Sequence, residues 1–296
     1  MKLVFGTGGR FGRFNKINAE KLIQKSLELG INTFDTGYTY GNYKSQILLS
    51  KCLEKTLKKN RDEIVLSTKC FPKSADYIEY CVTKSIETLQ CKYLNYFHLW
   101  GASVEDLERK DLFNKIKDLL KKGKVKVFSV TTQDLRTIKR VTSGNFDEIK
   151  GIMIDYNLLK QNRKQYVYES KKNNIVVFGG TTLCQGFLID SLLKITFRTK
   201  SPFYFGRAIL KKETRSYLKP SRELRIHMKN KYRAFYQKIP LSFVVNEKMI
   251  DFIPIGMLSK ESIEKNVEIS KNPIRRDITD KVAKWALENY QANDIT

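Results

Sequence analysis

Apolar residues recur along this chain in two periods. Short apolar, β-branched runs bounded by glycine or polar residues mark strands at Lys2–Phe5, Ile31–Phe34, Ile64–Thr68, Tyr93–Trp100, Val125–Val130, Ile152–Tyr156, Ile175–Phe178 and Phe252–Ile255. Between them the spacing becomes helical. Leu22, Ile23, Leu27 and Leu29 fall on one side of a helix over 18–29, and Gly30 follows as its stop signal. Tyr77–Leu89, Leu112–Leu120 and Ser262–Val267 repeat the pattern. Eight strand-then-helix repeats predict an α/β protein of the (β/α)8 TIM-barrel class, a closed parallel eight-stranded sheet and not an open doubly wound one. The 296 residues suit a single domain over 1–296, because such barrels commonly take roughly 250 residues.

One connection breaks the rhythm. Between the strand ending near Gly180 and the strand at Phe252 lie roughly seventy residues, far more than a βα loop and one helix need. We read 184–229 as an insertion. From Ser191 to Lys238 it is strongly basic, with Arg198, Lys200, Arg207, Lys211, Lys212, Arg215, Arg222 and Arg225 among its cations and Phe203, Tyr204, Phe205 and Tyr217 interleaved. On a barrel this segment emerges at the catalytic face. It reads either as a lid that grips an anionic part of a substrate, cofactor or partner, or as a solvated loop and helix in a lysine-rich protein.

The formal charge of +24 poses the same question for the whole chain. Nucleic acid, an anionic membrane surface, an acidic substrate and a lysine-rich proteome are all compatible with it. Most lysines fall singly on predicted helices, as Lys115, Lys117, Lys121 and Lys122 do, which is the pattern of a solvated face. No nucleic-acid fold motif is recognisable, so that partner is disfavoured. Cys52, Cys70, Cys81, Cys91 and Cys184 are scattered, odd in number and without metal-ligand spacing, so we expect no metal site, no disulfide framework and a reducing, cytoplasmic setting. No apolar run reaches membrane-spanning length, and nothing in the chain signals an oligomeric state.

Candidate chemistry begins at Gly30–Asn42. The strand there delivers Asp35 at its carboxyl end, where parallel α/β folds expose functional groups, and Tyr40 and Gly41 follow in the next loop. The plainer reading makes Asp35 a helix cap and the tyrosines packing or surface residues. Leu3–Gly12 breaks from a strand into a glycine-rich loop, but the dinucleotide pattern G-x-G-x-x-G fails, since Phe11 stands where the third glycine belongs. Ile64–Lys69 is a strand ending in a lysine.

Taken together, an apolar strand, Asp35, then Tyr40 and Gly41 resemble the signature of the aldo-keto reductases, and the resemblance runs along most of the chain. It implies a barrel enzyme that reduces a carbonyl to an alcohol, or the reverse, with NADP or NAD as cofactor and a small-molecule carbonyl substrate, an anionic one if the basic segment grips it. Asp35, Tyr40 and Lys69 would be catalytic. A tyrosine is a weak acid at neutral pH, and an adjacent ammonium favours its phenolate, so Lys69 held by Asp35 would tune Tyr40 as proton donor. Gly6 and Thr7 match the family's first strand, under the nicotinamide.

The match elsewhere is mixed. Ser129-Val-Thr131-Thr132 stands where the family has Gly-Val-Ser-Asn, and the two threonines keep hydroxyls for a carboxamide. Met153 replaces a glutamine that touches the nicotinamide, and Gly180 replaces the aromatic that stacks on it, with Leu183 following in the same segment. Gly256, Ser259, Lys260 and Asn266 fall in the adenosine-phosphate segment, where Leu258 takes the usual arginine position. A helix start there suits an anion.

On the fourth strand Asn95 takes the place of a family aspartate and Trp100 that of the catalytic histidine. Alternation puts Tyr96, His98 and Trp100 on the barrel-lining face, with His98 roughly 6–7 Å deeper than Trp100. Trp100 keeps an N–H donor for a carbonyl, while His98 reads as a hydrogen-bonded core residue. The competing functional reading is a non-catalytic barrel that binds a nucleotide or other anion as a binding or regulatory subunit.

Overall fold

The computed structural model describes residues 2–8, 10–199 and 202–290; Gly9 of the glycine-rich loop, Lys200 and Ser201 of the basic segment and the ends of the expected 1–296 domain lie outside the described residues. Eight strands form a closed parallel barrel in sequence order: β1 (Lys2–Gly6), β2 (Thr33–Asp35), β3 (Val65–Cys70), β4 (Leu94–Trp100), β5 (Val125–Thr131), β6 (Ile149–Asp155), β7 (Val176–Gly180) and β8 (Phe252–Gly256). Each expected strand is present. β2 begins two residues later than its apolar run and takes in Asp35, because Phe34 and Asp35 are the residues that pair with both β1 and β3. The ring closes where β1 pairs with β8 from Lys2↔Phe252 to Gly6↔Gly256.

Period-two alternation divides the residues between two cores. Outward-facing Leu3, Phe5, Phe34, Leu66, Phe97, Phe128 and Ile152 join the helices in the main apolar cluster. Inward-facing Val4, Met153, Phe178 and Phe252 make a second cluster inside the barrel, against which Tyr96 packs. Phe178 stacks on Phe252 at 4.7 Å, and Tyr96 meets Phe178 edge-on at 5.0 Å. Above this plug, toward the carboxyl ends of the strands, the inward residues turn polar, with His98 and Ser67 followed by Asp35 and Lys69.

One join is thin. β7 and β8 share only the pair Phe178↔Phe252, and Pro254 has no N–H to extend the ladder. The long connection leaves the barrel at this join. It forms helices Leu192–Thr199, Phe203–Leu210, Lys212–Lys231 and Ile239–Val245, so the expected insertion limit at 229 falls inside a helix that continues to Lys231. Thr214, Tyr217, Leu224 and Met228 bury one face of Lys212–Lys231 while its lysines and arginines mostly face outward. None of the described helices is long and apolar enough to cross a membrane.

Asn95, at the family's aspartate position, points away from the barrel interior. Its Oδ1 accepts from the Leu66 amide at 2.9 Å and from Arg61 Nη2 at 2.9 Å, and Arg61 also donates to the Tyr93 carbonyl at 2.6 Å. The side chain therefore ties β3 to β4. Removing it strands a strand amide and part of a guanidinium, so we expect Asn95→Ala to lower the unfolding free energy by about 1–3 kcal/mol. Equilibrium denaturation by urea measures this, and a change below about 0.5 kcal/mol would contradict the assignment.

Candidate active site

The β2 strand is short, and Asp35 is its last residue. Backbone bonds anchor the turn beyond it: the Thr7 amide donates to the Asp35 carbonyl, the Thr36 amide to the Ser67 carbonyl and the Tyr38 amide to the Lys69 carbonyl. The loop then turns through Gly41, Asn42 and Tyr43, all at positive φ (60°, 55° and 69°). Only the first suits that backbone region without cost. At Gly41 a Cβ would sit 2.8 Å from Ser45 Oγ and 3.1 Å from the Cα of Gly12, so the two glycines let the first and second loops touch backbone to backbone. Gly37 works differently: a Cβ there would lie 2.9 Å from the Tyr40 ring, which folds back over it. Sequence, through these glycines, sets where Tyr40 stands.

Asp35, Lys69 and Tyr40 come together. Lys69 Nζ donates to Asp35 Oδ2 at 2.6 Å and to the Thr36 carbonyl at 2.8 Å, with Asp35 5% and Lys69 4% exposed. Its ammonium lies 4.9 Å from the centroid of the Tyr40 ring. Burial pulls the Lys69 pKa down, but attraction to Asp35 and Tyr40 outweighs it, and the ammonium is held above the ordinary lysine range. Tyr40 departs from the simple expectation. Although part of it remains exposed, desolvation dominates and raises its pKa, with Lys69 pulling it down, Asp35 pushing it up and Arg207 again lowering it. The phenol is thus a neutral donor through neutral pH, not a group tuned down to it, because desolvation, with Asp35 adding to it, outweighs the pull of Lys69.

Trp100 closes the other side. It stacks on Phe71 at 4.7 Å and 14° and meets Tyr40 edge-on at 5.9 Å, making a flat aromatic wall beside the phenol. His98 lies one layer below, fully buried, with Nε2 3.0 Å from Ser67 Oγ; the same hydroxyl donates to Asp35 Oδ1 at 2.6 Å. Burial drives the His98 pKa down to about 3, Asp35 opposing and Lys69 assisting. Ser67 and Thr36 are site residues that the sequence reading passed over. Ser67 was detectable, since it stands two before Lys69 and must share its face of the strand.

The residues expected to hold a cofactor divide into two places. Gly6, Thr7 and Thr131 ring the barrel mouth, and the buried Oγ1 atoms of Thr7 and Thr131 have no hydrogen-bond partner, as has that of Thr36. Thr132 instead accepts from the Asp134 amide at 3.2 Å in a turn. Met153 lies in the inner apolar cluster, and at Gly180 a Cβ would meet Asp155 Oδ1 at 3.0 Å and Met153 Cγ at 3.3 Å. That spot is already filled by a carboxylate: Asp155 accepts from Thr181 at 2.7 Å and faces buried Lys160 at 3.6 Å.

The second place is a groove of about 590 Å³ at the β7–β8 join, lined by Leu183, Gly256, Leu258, Ser259 and Asn266 together with Glu261, Ser262 and Lys265. Ser259 caps helix Lys260–Lys271 through a reciprocal bond with Ser262. Lys260 is exposed and does not line the groove. Nothing within 4 Å would meet a Cβ at Gly256, so the floor is open to a ligand. Among the described residues no group of three or more His, Cys, Asp or Glu is placed to hold a metal ion.

Comparison with known proteins gives the same outline. The model of the Aldo/keto reductase family matches residues 2–286. An uncharacterized oxidoreductase, YqkF of Bacillus subtilis (strain 168), is 21% identical over 190 residues, covering 60% of this chain and 60% of that protein, so the match spans under two thirds of the relative's length. A solved aldo-keto reductase from Bacillus halodurans in holo form superposes with a TM-score of 0.72 at 18% identity, over 96% of this chain and 91% of that one. An aldo/keto reductase from Klebsiella pneumoniae, solved with NADP and acetate, gives 0.70 at 13% identity over 96% and 90%. At these identities the two structures speak for the fold alone.

The buried imidazole gives a pH signature. Because the folded pKa of His98 is depressed from 6.5 to about 3, the stability it contributes is complete above pH 6.5 and is lost as pH falls toward 3. Between pH 6 and 4 we expect the wild type to lose about 1.4 kcal/mol per pH unit more than His98→Gln. Denaturation midpoints at three pH values for both proteins check it, and parallel slopes would mean that the ring is protonated in the fold.

Proposed function

The chain belongs to the aldo/keto reductase family of oxidoreductases, and on that premise we propose that it interconverts a carbonyl and an alcohol, with Tyr40 as proton donor and a nicotinamide dinucleotide, NADP or NAD, as redox partner. The observation that carries this is the buried Asp35–Lys69 pair set against Tyr40 at the carboxyl ends of β2 and β3. An ion pair this deep costs desolvation free energy, and here it abuts a phenol that is itself only partly exposed.

The residues present fit such a cofactor at two of its ends. The groove at Gly256, Ser259 and Asn266 is of a size that holds a nucleotide half, and its helix N-terminus favours phosphate. Unpartnered hydroxyls of Thr7 and Thr131 at the mouth offer hydrogen bonds to a carboxamide. The stacking position is the exception, since Gly180 brings no ring and Asp155 occupies the space. When bound, the dinucleotide supplies or receives hydride.

Everything else falls to the chain itself. The carbonyl oxygen sits against the Tyr40 hydroxyl, whose raised pKa keeps the proton available for donation at neutral pH. As the proton leaves, Lys69 stabilises the phenolate, and Asp35 keeps the lysine charged and in place. In alcohol oxidation the same tyrosine must act as base, so that direction gains with rising pH. Trp100 and Phe71 give the substrate a flat wall and exclude water on one side.

Two variants test the reading with a nicotinamide assay on generic aldehydes. Tyr40→Phe removes the proton and should reduce kcat by about 10³ or more while leaving cofactor affinity within about twofold; retention of most activity would sink the assignment. Trp100→His restores a titratable donor beside the carbonyl, and we expect turnover of those aldehydes to rise at least about tenfold. If it gains nothing while His98→Gln removes activity, the deeper histidine is the catalytic one.

A further inference from the structure

His98 is a buried titratable group for which the proposed reaction has no use. It is completely enclosed, yet it contacts the catalytic ion pair through one intermediary, Ser67 Oγ, which is also inaccessible to solvent. Counting protons decides which atom donates to which. Asp35 is paired with an ammonium at 2.6 Å and is therefore a carboxylate, which only accepts. Ser67 has one proton, and its 2.6 Å contact to that carboxylate is a short charge-assisted bond, so the proton lies there.

The hydroxyl oxygen can then only accept from the ring nitrogen 3.0 Å away, which makes His98 Nε2 an N–H. Its partner nitrogen, Nδ1, is buried without a hydrogen bond, and the ring stands edge-on to Phe178 at 4.9 Å. The opposite tautomer would set two lone pairs against each other and bury an orphan N–H, the costlier kind of unpaired group. The charges facing the ring are Asp35 from β2 and Lys69 from β3; Tyr96 lies below it on its own strand, and β5 and β7 bring only Ser129 and Phe178. Burial accordingly keeps the imidazole neutral across ordinary pH.

We propose that His98 is a positioning residue for Tyr40: by donating from Nε2 to Ser67 it commits the serine proton to Asp35 Oδ1, and so fixes the carboxylate whose Oδ2 holds Lys69 beneath the phenol. The chain of contacts runs His98, Ser67, Asp35, Lys69, Tyr40. Loosening either of the first two lets Asp35 turn, weakens the pull of Lys69 on Tyr40 and leaves the desolvation that raises the phenol pKa less opposed. The kinetic part of this inference rests on the carbonyl-reductase reading; the tautomer does not.

The test has two arms. The chain contains only two histidines, His98 and His227, so a ¹⁵N-histidine-labelled sample of the whole protein, assigned with His98→Gln, reads the ring directly. We expect a neutral Nε2–H tautomer that does not titrate between pH 8 and pH 5. An Nδ1–H tautomer, or a midpoint near 6.5, overturns the proposal whether or not the protein turns over any substrate. In the kinetic arm, Ser67→Ala and His98→Phe should lower kcat about 5- to 20-fold with KM within about twofold, and move the pH limb of alcohol oxidation upward by about half to one unit. His98→Gln, whose amide can donate to the same hydroxyl, should restore both. Should His98→Phe fail to fold, Ser67→Ala carries this arm. Unchanged kcat and an unmoved limb in folded variants, with Tyr40→Phe inactive, overturn the proposal and leave the reading of Tyr40 standing. A wild type inactive on every carbonyl overturns that reading instead, and the tautomer then decides the rest.

Discussion

The Asp35–Lys69 ion pair is the constraint from which the upper half of the barrel takes its form. Each charge, taken from water into a site about 95% enclosed, costs several kcal/mol before any attraction is counted. That cost is offset only when the remaining donors and acceptors are satisfied. Here the ammonium also reaches the Thr36 carbonyl, and the carboxylate also receives Ser67. A leucine or valine at any of these inward positions would leave a buried charge short of a partner. The apolar plug of Val4, Met153, Phe178 and Phe252 must therefore stop one layer lower, and polar side chains take over above it.

Much of this organisation was legible in the sequence because it depends on local regularities. The eight strands announce themselves by short apolar runs, and alternation alone assigns Tyr96, His98 and Trp100 to the inside. Asp35 and Lys69 stand out by their places at strand ends, and Tyr40 by the family signature it resembles. Less visible were features made by contacts between distant segments. Ser67 looks like an ordinary strand serine until the barrel brings β2 and β4 to either side of it. The balance at Tyr40 is hidden for a related reason: Lys69 lowers its pKa as its position in the sequence suggests, and only the closed site adds the desolvation and the Asp35 charge that outweigh it. Asn95 shows the reverse, a position where the family carries an aspartate and this fold has a staple between β3 and β4.

The charge excess also looks different in three dimensions. Many of the ion pairs on the surface are between neighbours on one helix, such as Lys58 with Glu54 and Lys122 with Asp118, and such exposed pairs contribute little. In the basic segment, Lys212–Lys231 packs through an apolar face onto the rest of the domain. Arg225 spends its charge internally, donating to the Phe187 and Asp190 carbonyls. Part of that composition is thus architecture, and only the outward remainder is free to act on an anion.

The strand ladders of the barrel are uneven, and the join between β7 and β8 is the thinnest. β1 and β2 share two pairs and β2 and β3 three, the other joins four or more, but here the ladder is a single pair and Pro254 offers no N–H to lengthen it. A hoop yields at its weakest splice. The groove at Gly256 lies at this splice, whereas Asp35, Lys69 and Tyr40 lie on β2, β3 and the loop between them. The thinnest lacing of the barrel therefore falls beside the groove and not beside the Asp35–Lys69 pair, and the residue without an N–H stands at that same join.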